Sequence, residues 1–235
     1  MSFSEDIKYL TKVICCYYEG AELDEQMSYD FSYTDFGMFK ALTWLVYTEN
    51  GELEGGEGIE YEYDSAERVI KSTFFEINEN NVKHVDSVTE IEYDAEGRKI
   101  RDTEKWYDEN GAEKDTSEYT YEYAANGKIS KQTYLRTNAD GTLNNREENT
   151  YEYDADKLTK RKYVRYDENN AVKDTVVGTY EYGANGKISK ETYLKTNGDG
   201  TLVNHTVTTY EYDAEGNLTN TKDTNYDANG NVISQ

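Results

Sequence analysis

Proline is missing from all 235 residues, although average usage near 5% would place about a dozen in a chain of this length. Proline removes a ladder donor and is confined to sheet edges and bulges, so its absence suits long hydrogen-bonded strands. Cysteine occurs twice, at the adjacent positions Cys15 and Cys16. A bond between sequence neighbours is strained, so the pair reads as two half-buried thiols of a strand rather than a disulfide framework. Histidine also occurs twice, His84 and His205, far apart and with no nucleophile-elbow motif around either. Nucleophilic catalysis needs a base poised beside its Ser or Cys, and zinc needs a spaced ligand set; neither is present, so no enzyme activity, cofactor or metal site is expected. Basic residues number 25 against 48 acidic ones, a formal charge of -23. Phosphate backbones and anionic lipid surfaces would be repelled, so nucleic acid is excluded as a partner. No apolar run approaches the roughly 20 residues that cross a bilayer as a helix, and no charged-then-apolar leader precedes Ser4. Membrane insertion is not expected.

What the chain has in abundance is tyrosine, 24 residues of it. Low hydropathy raises the question of disorder, but disordered chains are depleted in aromatics, whereas Tyr, Thr and Val are what strands require. The tyrosines recur in a phrase clearest at Ile91-Glu92-Tyr93-Asp94-Ala95-Glu96-Gly97-Arg98, which restarts at Phe31, Tyr61, Ile91, Tyr121, Tyr151, Tyr180 and Tyr210. Spacings near thirty residues mark a modular array. Within a unit, Tyr-x-Tyr alternates out of the pleat, and Asp94-Ala95-Glu96-Gly97 supplies Asp at the first and Gly at the last place of a tight turn. Arg98 to Tyr107 then runs to a second turn at Asp108-Glu109-Asn110-Gly111, and Ala112 to Tyr123 leads to the next Tyr-x-Tyr. Connections this short force neighbouring strands antiparallel. The spacing therefore predicts an all-β antiparallel β-hairpin repeat array, a meander of about sixteen strands with two strands per thirty residues. Strand twist predicts a curled or superhelical sheet.

The residues Tyr93-Asp94-Ala95-Glu96-Gly97-Arg98, and again Tyr212-Asp213-Ala214-Glu215-Gly216-Asn217-Leu218, resemble the YD repeat of the Rhs and toxin-complex families, over most of the chain. The resemblance implies a long curled β-sheet that can wrap as a shell around a toxin domain; related repeats occur on bacterial surface proteins and teneurins. Several units depart from the motif: Phe36-Gly37 follows Thr34-Asp35, Ala66-Glu67 lacks the glycine, and Asp156-Lys157 is one residue short. No stretch after the last unit reads as toxic cargo.

Residues 31–235 form the array, and residues 1–30 read as a degenerate N-terminal capping unit. For that cap two readings stand. Ser4-Glu5-Asp6 followed by Ile7, Leu10 and Ile14 fits a capped amphipathic helix, while a shift of thirty places Tyr17 on Tyr47 and Cys15 on Leu45, and Val13 to Tyr18 is rich in strand formers. The strand is favoured. In the next unit Phe39, Ala41 and Leu45 alternate with Met38, Leu42, Trp44 and Val46, which predicts burial on both faces beneath the first unit.

Registering the units by alternation puts the tyrosine pairs with an aliphatic (Val69, Ile129, Leu158, Ile188), a threonine (Thr73, Thr133, Thr192) and a second apolar residue (Phe75, Leu135, Val164, Leu194), the expected core parity. The opposite, wet parity carries the central Glu of Tyr-Glu-Tyr together with Trp106, Tyr134, Tyr163 and Tyr193. Those four rings are the candidate ligand-binding residues, since aromatic faces spaced across strands suit stacking on sugars or gripping an extended peptide. Asn138-Ala139-Asp140-Gly141 and Asn197-Gly198-Asp199-Gly200 look like the middle of a calcium loop, but Arg136 and Lys195 stand where its first acidic ligand belongs, so both are read as hairpin turns. The function expected is a non-enzymatic structural or interaction module of a secreted or surface-associated bacterial protein, with a protein or polysaccharide partner. The alternatives are a shell fragment of an Rhs-type polymorphic toxin and a carbohydrate-active accessory protein.

Overall fold

A computed structural model of the chain describes residues 10–19 and 22–235. It is all-β: among the described residues there are sixteen strands in one antiparallel sheet, in sequence order, with no helix and no closure into a barrel. Two compact units divide it, Met1–Thr116 and Ser117–Gln235. The first contains β1 (Lys12–Glu19), β2 (Glu22–Tyr33), β3 (Phe39–Thr48), β4 (Leu53–Tyr63), β5 (Val69–Asn78), β6 (Lys83–Tyr93) and β7 (Lys99–Tyr107). β8 (Glu113–Tyr123) runs through the boundary. The second contains β9 (Ile129–Asn138), β10 (Leu143–Asp154), β11 (Lys157–Tyr166), β12 (Val172–Tyr182), β13 (Ile188–Asn197), β14 (Leu202–Tyr212), β15 (Leu218–Tyr226) and β16 (Val232–Ser234).

Turn chemistry sets this order. In the first turn of a unit the Asp94 N–H donates to the Arg98 carbonyl (2.9 Å) and the Gly97 N–H to the Asp94 carbonyl (3.0 Å). Asp94 Oδ1 accepts from the backbone N–H groups of Glu96 (3.1 Å) and Arg98 (2.8 Å). The second turn repeats the pattern on Asp108, whose Oδ1 takes the N–H groups of Asn110 (2.8 Å) and Ala112 (2.9 Å). Gly97 and Gly111 have φ of 82° and 77°, a region that L-residues enter only at a cost. Where the glycine is missing the backbone still demands it: Glu67, Asn81 and Asn170 have φ of 61°, 59° and 61°. The short turn has only Ala155 and Asp156 between β10 and β11, with Ala155 at φ 49°. Asp140 and Asp199 likewise close their own turns, each Oδ1 accepting the N–H two residues on, from Thr142 (2.9 Å) and Thr201 (2.8 Å).

β1 occupies the region where helix and strand readings compete, and it pairs with β2 from Lys12↔Asp30 to Glu19↔Glu22. The helix start at Ser4 to Ile7 lies outside the described residues, and Ile14 is inside the strand. Cys15 is half-buried and Cys16 exposed, as alternation along a strand requires. The expectation that the first unit covers β3 is overturned: β2 lies beside β3 in the sheet plane, Met27↔Val46 through Phe31↔Leu42, and β3 is half-buried along its length except at the exposed Lys40. A short hairpin connection leaves in-plane pairing as the only arrangement open to a following strand.

Within each unit the described strands pack chiefly against their sequence neighbours, so there is little interior. Among the described apolar side chains only Phe75 and Val164 are buried. The ladder and the residues bridging adjacent strands hold the sheet instead. One such bridge recurs in register: the tyrosine just before the first turn of a unit donates its hydroxyl to the carbonyl 24 residues earlier, Tyr93 to Val69, Tyr153 to Ile129, Tyr182 to Leu158 and Tyr212 to Ile188, all at 2.9 Å. Tyr63 makes the same bond to Phe39.

Candidate binding surface

The pairing registers decide which side chains share a face. Tyr180 faces Glu191 and Glu181 faces Lys190, but Tyr182 faces Ile188, so Ser189 is an extra residue, a β-bulge. The same slip leaves Lys40, Ile70, Ile100, Thr159 and Thr219 as extras in their strands. Hydroxyls of Thr159, Ser189 and Thr219 close the bulge by donating to the carbonyls of Glu152 (3.0 Å), Glu181 (3.2 Å) and Glu211 (3.1 Å). One extra residue flips every side chain beyond it to the other face.

Both face assignments made by simple alternation are therefore corrected. Tyr134 faces Glu147 of β10, on the side of Tyr151. Tyr163 faces Asn149 on that side and Val176 of β12, on the side of Tyr180. Tyr193 faces Gly178, again on the side of Tyr180. In the other unit Trp106 faces Ser87, on the side of Ile91 and Tyr93. All four candidate rings lie on the same face as the tyrosine pairs, not opposite them. The threonines and second apolar residues fall on the reverse: Thr133 and Leu135 pair with Glu148 and Arg146, and Val164 with Glu148 and Thr175. That reverse face also carries the central Glu of each Tyr-Glu-Tyr, ion-paired across the strand as Glu62–Lys71 (2.8 Å), Glu152–Lys160 (2.7 Å) and Glu181–Lys190 (2.7 Å).

Alternation also missed Trp44 and Phe74. Trp44 faces Glu57 and Phe74 faces Ile59, both on the side of Tyr61, with ring centroids 6.4 Å apart. Positions 44, 74, 134, 163 and 193 keep the thirty-residue period, and that was the available signal.

In the second unit the tyrosine face carries two features. Tyr134 packs tightly: its ring is 4.7 Å from that of Tyr119, its hydroxyl lies 3.1 Å from Ser117 Oγ, and Tyr119 stacks on Tyr121 at 6.5 Å. Two strands further on, Tyr163, Tyr180 and Tyr193 surround a cavity of about 100 Å³ completed by Arg161, Val176 and Gly178. Gly178 is its floor. A Cβ there would stand 3.1 Å from the Tyr180 hydroxyl and 3.5 Å from its Cζ, because that ring folds back over the glycine. Tyr193 is 46% exposed. Arg161 is held by Asn149 Oδ1, which accepts from Nη2 (2.8 Å) and Nε (3.1 Å).

A charged network borders the cavity. Arg165 Nε donates to Asp174 Oδ1 at 2.9 Å and Nη2 to Oδ2, and Lys195 lies 3.9 Å from the same carboxylate. Asp174 is buried; the hydrogen bond from Arg165 holds its carboxyl below the usual range, and that bond raises the guanidinium in turn. Burial first, and then the Glu147 carboxylate, push the Tyr163 phenol up to about 12. Burial and Glu191 raise Tyr180 as well. These phenols stay neutral donors at physiological pH, next to a fixed guanidinium and a floor without a side chain. Such a surface stacks and hydrogen-bonds; no nucleophile with a poised base stands among these residues.

No family model matches the sequence, and no curated protein matches it. Among solved structures the chain is similar to a porin-like protein from Bacteroides uniformis, with 14% identity over 94% of this chain and 90% of that one and a TM-score of 0.36. It is also similar to toxin-complex TcdB2-TccC3 chains. One of these has 11% identity and a TM-score of 0.18, covering 90% of this chain and 17% of that one; another has 11% identity and a TM-score of 0.19, covering 91% and 16%.

Proposed function

We propose that the chain is a non-enzymatic YD-repeat-like interaction module of a secreted or surface-associated bacterial protein, and that its tyrosine face grips an extended polymer, a glycan or a polypeptide. The observation that carries this reading is the shared face of Tyr134, Tyr163 and Tyr193. They stand on alternate strands of one unit, each two residues further along in register, so adjacent positions are roughly 12 Å apart, about three to four residues of an extended peptide. That is a polymer's repeat, too long for a small metabolite to bridge. Flat phenols offer stacking area, and their hydroxyls and Arg161 offer hydrogen bonds. The charge of -23 turns polyanions away and leaves neutral or basic polymers.

The test is the triple substitution Tyr134→Ser, Tyr163→Ser and Tyr193→Ser, probed on glycan and peptide arrays beside the parent chain. Binding shown by the parent should be lost while the far-ultraviolet β signal persists. Undiminished binding by the folded triple variant would remove this face as the site.

A further inference from the structure

Four of the described repeats place a cation over a tyrosine of the next repeat, and at one such tyrosine the cation is replaced. Arg68 Cζ stands 4.5 Å from the ring centroid of Tyr93, Lys128 Nζ 5.5 Å from Tyr153, Lys157 Nζ 4.9 Å from Tyr182 and Lys187 Nζ 5.2 Å from Tyr212. In each case the cation ends the first turn of one repeat and covers the bridging tyrosine of the next, 25 residues on. Tyr63 is such a tyrosine, with its hydroxyl on the Phe39 carbonyl. Twenty-five residues before it stands Met38.

Where the cation is lacking, the space between the two turns is open. A cavity of about 710 Å³ lies there, with Tyr33, Met38, Tyr61 and Tyr63 among its walls. Ring contacts through Phe39 join these tyrosines: Tyr33 to Phe39 is 5.8 Å between centroids, Phe39 to Tyr61 is 6.0 Å, and Tyr61 to Tyr63 is 6.5 Å. Asp35, Glu62, Asp64 and Glu67 also line it, against a single basic residue, Lys40. Glu62 is ion-paired with Lys71 and Asp64 with Arg68, which leaves Asp35 and Glu67 facing one lysine. Phe36, 83% exposed at the rim, adds apolar surface for an alkyl stem.

We propose that this cavity receives the guanidinium or ammonium group of a basic polypeptide, a Lys or Arg side chain that takes from outside the place which Arg68, Lys128, Lys157 and Lys187 fill from within. Cations over tyrosine faces are attracted by the ring quadrupole, more strongly when partly desolvated. A chain of charge -23 draws a basic partner from a distance and holds it less firmly as salt rises. This site lies in the first unit and does not depend on the polymer-binding face of the second.

The experiment is a nuclear magnetic resonance titration of the full chain with N-acetyl-arginine amide, its neutral isostere N-acetyl-citrulline amide, and a short Gly-Arg-Gly-Lys-Gly peptide. The arginine probe and the peptide should shift the ring signals of Tyr33, Tyr61 and Tyr63 and the Met38 methyl saturably, and citrulline should not. Met38→Lys places the missing cation in the gap and should weaken both probes by about tenfold or more, while Met38→Leu should leave them unchanged. If Met38→Lys disturbs the fold, Met38→Arg, the residue type at position 68, replaces it. Equal shifts from citrulline, no saturable shift from arginine, or undiminished binding in the folded cationic variants would each overturn the proposal.

Discussion

Exchanging glycine and alanine at two turn positions isolates the backbone from every side-chain contact. Gly111 sits at φ 77°, and a Cβ built on it meets nothing within 4 Å; Ala155 sits at φ 49° with the Cβ in place. A left-handed conformation costs an L-residue roughly 1–2 kcal/mol. Glycine gives back roughly 0.5–1 kcal/mol of that advantage through the larger freedom of its unfolded chain. Gly111→Ala should therefore destabilise by about 1 kcal/mol, and Ala155→Gly should stabilise by about 0.5–1 kcal/mol. With urea slopes near 1–3 kcal/mol per molar, the midpoint shifts are about 0.2–1 M in opposite directions. Urea titration followed by circular dichroism at unchanged slope measures both. A stabilising Gly111→Ala, or an Ala155→Gly that lowers the midpoint, would refute the claim that backbone conformation at the turns selects these residues.

Removing one bridging hydroxyl, as in Tyr182→Phe, leaves the Leu158 carbonyl without its partner and should cost about 1 kcal/mol, read as a lower urea midpoint. Arg165→Met strands the buried Asp174 carboxylate; roughly 2 kcal/mol is expected, below the 3–5 typical of a fully buried pair, because the Arg165 side chain is 39% exposed and Lys195 stays nearby. The turn carboxylates Asp108, Asp213 and Asp227 are held below the usual range by hydrogen bonds from Ala112, Asn217 and Asn231 respectively. A depressed folded value means stability that is present above about pH 4 and lost as the pH falls through it, so acid should lower the urea midpoint, and Asp108→Asn, which keeps the acceptor oxygen, should flatten that slope. Tyr163 has the opposite sign: its raised phenol stabilises fully below about pH 10 and loses that stability as the pH rises through about 12, so spectrophotometric titration of Tyr163→Phe should lack one of the latest tyrosine steps.

The hairpins were legible because turns are specified by residue type. Asp at the first place and Gly or Asn at the last recur through the array, and the strands fall between them. β1 was legible through its period and its β-branched content, against a local pattern that also fitted a helix. The faces were not legible. A bulge is created by the pairing of two strands, and its extra residues, Lys40, Ile70, Ile100, Thr159, Ser189 and Thr219, share no chemistry that marks them in a single strand. Counting alternation from Tyr63 through Val69 to Phe75 crosses that slip and arrives on the wrong side. Tyr134, Tyr163 and Tyr193 were thus found by period, with Trp106 two residues off it, and all four were assigned a face by parity; only the first step survives the bulge. The over-reading of β3 has a related origin: an apolar residue at every position signals two buried faces in a layered protein, but a strand flanked by β2 and β4 in a sheet with little interior is only half-covered.

A sheet ordered strictly along the sequence has a mechanical consequence. Tension applied through its two ends acts across the strands and loads the ladder bonds of an outermost strand one after another, as in a zipper, instead of shearing many at once. Each strand that peels away frees about ten residues, roughly 33 Å of extended chain, and leaves the next antiparallel pair as the new boundary. The molecule would yield at low force in small, nearly equal steps and rewind by the same route, an elastic tether whose working length grows with the number of hairpins it contains.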